Sequence, residues 1–320
     1  MNKRVLSLTL LLACLGLMTM QAEGRKVESF NSGWSFKKAP AEKELAINAP
    51  KWDKGWSEVE IPHTWNAKDM QVQANSFYEG AAYYKKQYFF PAELKNKRVF
   101  LRFEGVGSCA EVFVNGMLAT SHKGGYSAFA CEISPLLKAG EENEIIVKAD
   151  NKSRPDVIPV NHNLFGVYGG IYRPVWLVVT EPYNISVTDC ASPGVYVTQK
   201  NVSKKQADVK VKVKLDNGTL QPAPVTLQNT IYDQEGKQVA THSQSFELSA
   251  QGEQAYESSF TIKKPTLWQG RENPYLYKVV SRLIKDGQVI DEMVQPLGLR
   301  KYEIVAGKGF YLNGEKYPMY

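Results

Sequence analysis

The sequence predicts an all-β protein, a jelly-roll sandwich followed by an immunoglobulin-like β-sandwich, with the first hairpin of a further unit at its end. Three observations carry that prediction. Helix signals are scarce over the 320 residues. Apolar and polar residues alternate at strand length in segment after segment, and Asn-Gly or Asp-Gly pairs punctuate them. Hydrophobic residues are 43% and charged residues 22%, so a sizeable core can form. At roughly 100–200 residues per domain, two domains fit the length.

Each element has its own signal. Arg98–Phe103 alternates along its length. Glu111–Val114 runs into Asn115-Gly116 and then Met117–Thr120, and Asn-Gly between apolar runs is the strongest short hairpin signal because both residues accept positive φ. Glu144–Lys148 reads as a strand, as does Tyr172–Val179 with Pro174 near its start, where a missing N–H does least harm. The character changes near Glu181-Pro182. Val209, Val211, Val213 and Leu215 then alternate with Lys210, Lys212 and Lys214, an apolar face backed by lysines that discourage edge pairing. Asp216-Asn217-Gly218 is expected to turn the chain. Val225–Tyr232, Gln254–Ile262 and Lys278–Ile284 give further strands, with turns at Gly236 and Asp286-Gly287. About seven short strands over roughly 120 residues suggest an immunoglobulin-like sandwich, and the richer stretch before it a larger sandwich or jelly roll. Gly309–Tyr317 reads as a small hairpin. A hairpin that size is not stable alone, so it packs on the second sandwich or the chain is a piece of something longer; the second is the expectation. The expected domains are 1–22, 25–181, 182–304 and 305–320.

Compartment is read from the first residues. Lys3 and Arg4 precede an apolar run, Val5 to Met20, and Ala22 is followed by the polar Glu23, Gly24 and Arg25. This is a signal-peptide layout over 1–22, and the run is short for a membrane span. Cys14 after Leu11-Leu12-Ala13 resembles a lipobox, but the apolar stretch continues past it, which disfavours lipoprotein processing. Export to the periplasm or cell surface is expected, with no transmembrane segment. Beyond the leader stand Cys109, Cys131 and Cys190, an odd number that leaves at least one thiol free; they read as small core hydrophobes. The net charge of +6 is diffuse, and no basic cluster tracks a phosphate backbone, so no nucleic-acid partner is expected. No CxxC, HxxxH or G-x-G-x-x-G spacing and no G-x-S-x-G elbow is present, so neither a metal, a nucleotide cofactor nor a serine triad is implied.

Several segments, in order, resemble glycoside hydrolase family 2: Ile61-Pro-His-Thr-Trp-Asn66 with Asp69, Tyr83–Lys86, Phe103–Val106 with Val112–Gly116, Gly125–Phe129, Tyr168-Gly-Gly-Ile-Tyr-Arg173, Pro265–Trp268 with Asn273–Tyr277, and Gly298–Arg300 with Gly309–Gly314. The resemblance covers about residues 28–320. It implies a jelly-roll sugar-binding domain, an immunoglobulin-like domain and then a (β/α)₈ barrel beginning near Lys308. Two catalytic glutamates are implied in that barrel, a retaining pair about 5–5.5 Å apart. No position here matches either, so no catalytic residue is assigned. The chain is expected to be the N-terminal portion of an exo-acting β-glycosidase, a β-galactosidase first, inactive by itself, with a carbohydrate substrate and no cofactor.

Loops of the first domain are the expected pocket walls: 65–69 and 150–163. Asp150 and Asn151, then Asn66 and Asp69, are the candidate substrate-binding residues, because Asp and Asn exchange hydrogen bonds with sugar hydroxyls. The plainer alternative is that these side chains hold their own loops. Trp65 reads as a core anchor, His63 as a structural histidine, and Arg173 as a member of a buried ion pair or interdomain contact. A stand-alone carbohydrate-binding module would need an exposed aromatic platform, for which Trp34, Trp52, Trp56 and Trp65 are the candidates. A purely structural pair of sandwiches, through which a homo-oligomer could form, is the third reading.

Overall fold

The computed structural model describes residues 24–39, 55–69, 77–160 and 166–319. The leader, Cys14, Trp52 and the Asn161-His162-Asn163 end of the second loop lie outside them. Among the described residues nearly all the regular secondary structure is strand, apart from two short 3₁₀ turns, Ala92–Leu94 and Ser134–Leu136. The first domain contains β1 (Lys26–Ser29), β2 (Trp34–Lys38), β3 (Ser57–Val59), β4 (Ala81–Phe90), β5 (Arg98–Phe103), β6 (Cys109–Val114), β7 (Met117–Lys123), β8 (Phe129–Glu132), β9 (Glu141–Asp150) and β10 (Val175–Thr180). The second contains β11 (Tyr183–Ile185), β12 (Val195–Lys200), β13 (Gln206–Asn217), β14 (Ala223–Tyr232), β15 (Gln238–Leu248), β16 (Gly252–Lys263), β17 (Tyr277–Lys285) and β18 (Gln288–Leu297). A small third sheet follows: β19 (Tyr302–Val305), β20 (Gly309–Leu312) and β21 (Glu315–Lys316).

A six-stranded sheet, β3-β2-β4-β9-β6-β7, faces a four-stranded one, β1-β10-β5-β8, to make the first sandwich. Strand alternation decides what lies between them. Val99, Leu101 and Phe103 of β5 point inward and meet Val112 and Val114 of β6 and Ile145 and Val147 of β9. Trp34 is fully buried there, its indole N–H donating to the Phe30 carbonyl at 2.7 Å. At the β6–β7 hairpin Asn115 and Gly116 take φ of 50° and 79°, the positive pair the sequence implied.

In the second sandwich β13 is the hub of one sheet, pairing with β11, β12 and β16, and β15-β14-β17-β18 form the other. Val209, Val211, Val213 and Leu215 fill the core from β13. The expected turn at Asp216–Gly218 comes later, because Asp216 and Asn217 continue the ladder opposite Glu253 and Gly252. The strand expected from Tyr172 starts only at Val175, after Pro174. The closing hairpin carries a third strand, β19, so the expected division after residue 304 falls inside a strand.

The two sandwiches meet through a seam of charge and apolar contact. β5 is buried on both faces: Phe100 points away from its own core and packs with Val178 and Val187. Arg98 bridges the domains, bonding Glu132 at 2.6 Å in one and Asn184 at 2.8 Å in the other. Arg25, just before β1, grips the fully buried Asp291 of β18, Nε to Oδ1 at 3.1 Å and Nη2 to Oδ2 at 2.9 Å. Burial pushes the Asp291 carboxyl up, and Arg25 and the Ile185 N–H oppose that shift. Arg173, expected in this role, is instead exposed beside Tyr172, because the Pro174 carbonyl is tied to the Glu104 N–H and the arginine falls on the outer side.

The three thiols are free. Cys131 is a core residue whose pKa burial raises to about 12, whereas Cys190, expected inside, is exposed at a turn with positive φ.

Candidate functional site: a buried asparagine pair behind a tyrosine-lined cavity

The four candidate residues gather at one end of the first sandwich, where β4, β9 and the approach to β10 release their loops. Asn66 and Asn151 are fully buried, Asp150 is 4% exposed, and Asp69 is half-buried. Asn151 immediately follows β9 and joins three segments. Its Oδ1 accepts from Gly80 N–H at 2.9 Å, and its Nδ2 donates to the Val167 carbonyl at 2.8 Å and the Tyr78 carbonyl at 3.2 Å. It also reaches Asn66 Oδ1 at 3.3 Å. Asn66 in turn accepts from Gly169 N–H at 2.8 Å and donates to Asp69 Oδ2 at 2.8 Å and the Tyr78 carbonyl at 3.0 Å. Asp69 closes the ring by accepting from Tyr78 N–H at 3.1 Å. Buried amides are satisfied by loop backbone here, which fixes loops 64–69, 77–80 and 166–170 against one another. Asp150 stands slightly apart: its oxygens take Lys152 N–H at 2.8 Å and Arg154 Nη2 at 2.9 Å.

Trp65 lies under this network. A Cβ at Gly169 would sit 1.9 Å from its indole, so only glycine lets the loop pass. The ring stacks on Phe36 at 6.0 Å. His63 completes the base, its Nδ1 2.8 Å from the Tyr84 hydroxyl and its ring against Phe36. Burial, with a smaller push from Lys38, lowers the His63 pKa below the usual imidazole range. Trp65 and His63 are thus structural, as read.

In front of the network is a cavity of about 300 Å³, lined by Thr64, Val167, Tyr126, Tyr168 and Tyr172 over a glycine floor that includes Gly107 and Gly125. Tyr126 is 66% exposed and Tyr168 43%. The Tyr172 hydroxyl donates to the Gly125 carbonyl, and Phe77 meets Tyr168 edge-on at 6.0 Å. The tryptophan platform does not form among the described residues: Trp34 and Trp65 are buried, and Trp56 lies beneath Lys85, 4.6 Å from its ring. Tyrosines take that place. Tyr126 and Tyr168 stand inside recognised motifs, but their exposure has no sequence signal. No group of His, Cys, Asp and Glu among the described residues could hold a metal ion, and no helix there is long and apolar enough to cross a membrane.

Comparison with known proteins fits this architecture. A family model described as glycosyl hydrolases family 2, sugar binding domain, matches residues 27–182, and one described as glycosyl hydrolases family 2 matches 193–300. A β-glucuronidase of Bacteroides fragilis is 41% identical over 82% of this chain and 37% of its own length. A β-galactosidase of Bacteroides ovatus is 30% identical over 91% of this chain and 34% of its own. A solved Bacteroides fragilis structure, provisionally assigned as a β-galactosidase, superposes with a TM-score of 0.89 at 72% identity, covering 92% of this chain and 44% of that one. The chain spans about a third of the length of the curated relatives it matches.

Proposed function

Because the chain belongs to glycosyl hydrolases family 2, we propose that it is the N-terminal portion of an exported retaining exo-β-glycosidase that removes terminal β-linked sugars. β-Galactosides are the proposed substrates, with β-glucuronides the alternative favoured by the 41%-identical relative. The jelly roll and the immunoglobulin-like sandwich act as accessory domains, and the two catalytic carboxylates come from a barrel outside these residues.

One observation carries this reading: the buried Asn66–Asn151 pair bonds loop backbone and holds three loops as fixed walls at one end of the jelly roll. Rigid walls are what positioning a sugar beside a catalytic pair requires. The two asparagines therefore act in this proposal by holding the walls, and direct hydroxyl contact falls to groups that face the cavity.

The test is hydrolysis by the 320-residue chain of nitrophenyl β-galactoside, β-glucuronide and β-mannoside. No turnover is expected. Turnover would overturn the placement of the carboxylates and direct the search to acid pairs within these sandwiches.

A homo-oligomer is proposed to form through β15. This edge strand is exposed along most of its 11 residues and has one carboxylate, Glu247, so little opposes its pairing with a second copy. A Ser243→Lys variant should shift light-scattering mass to the monomer; an unchanged oligomer, or a wild-type monomer, would contradict this.

A further inference from the structure

One buried carboxylate of the seam lacks what the other has. Asp291 takes two bonds from Arg25 and one from the Ile185 N–H. Asp216, near the end of β13, is 7% exposed, and its Oδ2 has no hydrogen-bond partner. The Arg98 guanidinium stands 3.8 Å from that oxygen and gives its short bonds to Glu132 and Asn184 instead. A second carboxylate, Glu253, lies directly across the ladder from Asp216. The fully buried Ser186 hydroxyl serves both: it hydrogen-bonds Asp216 and lies 3.1 Å from Glu253 Oε2. A hydroxyl has a single proton to donate, so it satisfies one carboxylate and leaves the other short.

We propose that Asp216, Ser186 and Glu253 form a proton-operated clasp where the two sandwiches meet, closed by one proton taken up from solvent at Asp216. The new O–H donates to Ser186 Oγ, and the Ser186 O–H then donates to Glu253, so each group in the chain has a partner. The proton resides on Asp216 because Asp216 is buried, whereas Glu253 is exposed and bonded to Lys214 at 2.7 Å. Burial pushes the Asp216 carboxyl above its usual range; Arg98 and the Ser186 bond oppose that shift, and Glu253 and Glu132 add to it. Lys214, two residues back along β13, is already shared by Asp189 and Glu253. Loss of the proton leaves a buried charge short of donors, and opening toward water relieves it. A Cβ at Gly218 would sit 2.9 Å from Arg98 Cδ, so movement at this turn is felt by the first sandwich. The stability that the proton contributes is full below the unfolded carboxylate value of about 3.9 and is lost as pH rises through the raised folded value. The seam therefore tightens in acid and loosens toward neutrality, independently of any glycoside hydrolysis.

The experiment compares the chain with Asp216→Asn, whose amide can donate to Ser186 at every pH, by denaturant unfolding and amide hydrogen exchange from pH 4 to pH 8. At pH 4 the two should unfold at the same midpoint, and at pH 8 the variant should need more denaturant. The Gly218 and Ser186 amides, which donate to the Pro182 and Lys214 carbonyls, should exchange about tenfold faster in the wild type than in the variant at pH 8, and equally at pH 4. Asp291→Asn, at the carboxylate that has its cation, should lower the midpoint at pH 8. In the wild type, the Asp216 carboxyl carbon followed by NMR should titrate above the ordinary value of about 3.9, a readout that needs no variant to fold. A midpoint for Asp216→Asn at or below wild type at pH 8, equal exchange at pH 8, a matching gain from Asp291→Asn, or titration of Asp216 at or below the ordinary value would overturn the proposal.

Discussion

The Asn66–Asn151 pair of the first sandwich and Asn229 of the second put buried asparagine to different ends. In the first, Asn66 and Asn151 lie at the tip of the fold and bond loop backbone. In the second, Asn229 lies mid-strand in β14 and bonds side chains: Nδ2 to Ser258 Oγ at 3.0 Å in the opposite sheet, and Oδ1 from Ser281 Oγ at 2.6 Å in the adjacent strand. One network shapes a surface, whereas the other ties two sheets together. The same residue type and the same degree of burial thus brace loops at Asn66 and Asn151 and staple two sheets at Asn229.

The strongest way to break this comparison is to separate the domains. Arg25→Met leaves Asp291 buried without its cation, and the expected loss is about 3–5 kcal/mol in denaturant unfolding. The double variant Arg25→Met/Asp291→Leu should recover most of it. A small single-variant loss would mean that the seam contributes little to stability.

Next come the asparagines themselves. Asn151→Ala abandons the Gly80 N–H and the Val167 carbonyl, at about 1–3 kcal/mol for each unsatisfied group. Asn229→Ala strands two hydroxyls that can rotate toward other partners, so about 1–2 kcal/mol is expected. The contrast sharpens in amide exchange: Asn151→Ala should speed Gly80, and Asn229→Ala should leave it unchanged. Equal effects on Gly80 would erase the distinction between brace and staple.

A smaller effect belongs to pH. His63 has a folded pKa below its unfolded one, so the unfolded chain binds more protons as pH falls through about 6.5, and stability drops with acidification in that window. His63→Gln should flatten that part of the stability–pH profile. A wild-type profile flat through the window would contradict the assigned burial. Smallest of all, thiol labelling of the native chain should modify Cys190 readily and spare Cys131 until unfolding.

Much of the fold was legible in the sequence because period-2 alternation is the direct imprint of one buried face. The predicted Arg98–Phe103 strand coincides with β5, and Val209–Leu215 lies within β13. β15 gave no such signal: Thr241–Ser245 is polar on both faces, and that stretch is held by its ladder with β14 rather than by burial. The site was legible in part. Asn66, Asp69, Asp150 and Asn151 could be chosen as sugar-like chemistry, but which way an amide points depends on loops that close through pairings up to 103 residues apart, such as Asn66 with Gly169. The Arg25–Asp291 pair, 266 residues apart, was beyond any local pattern.

The most direct test of the claim that buried amides hold the walls of this site is amide hydrogen exchange at Gly169 and Gly80, whose N–H groups donate to Asn66 and Asn151. Both should exchange as slowly as the amides of β4, and Asn66→Ala should speed Gly169 by about a hundredfold while leaving Ser281 in the second sandwich unchanged. Fast exchange of Gly169 in the wild-type chain, or no response to Asn66→Ala, would contradict the account.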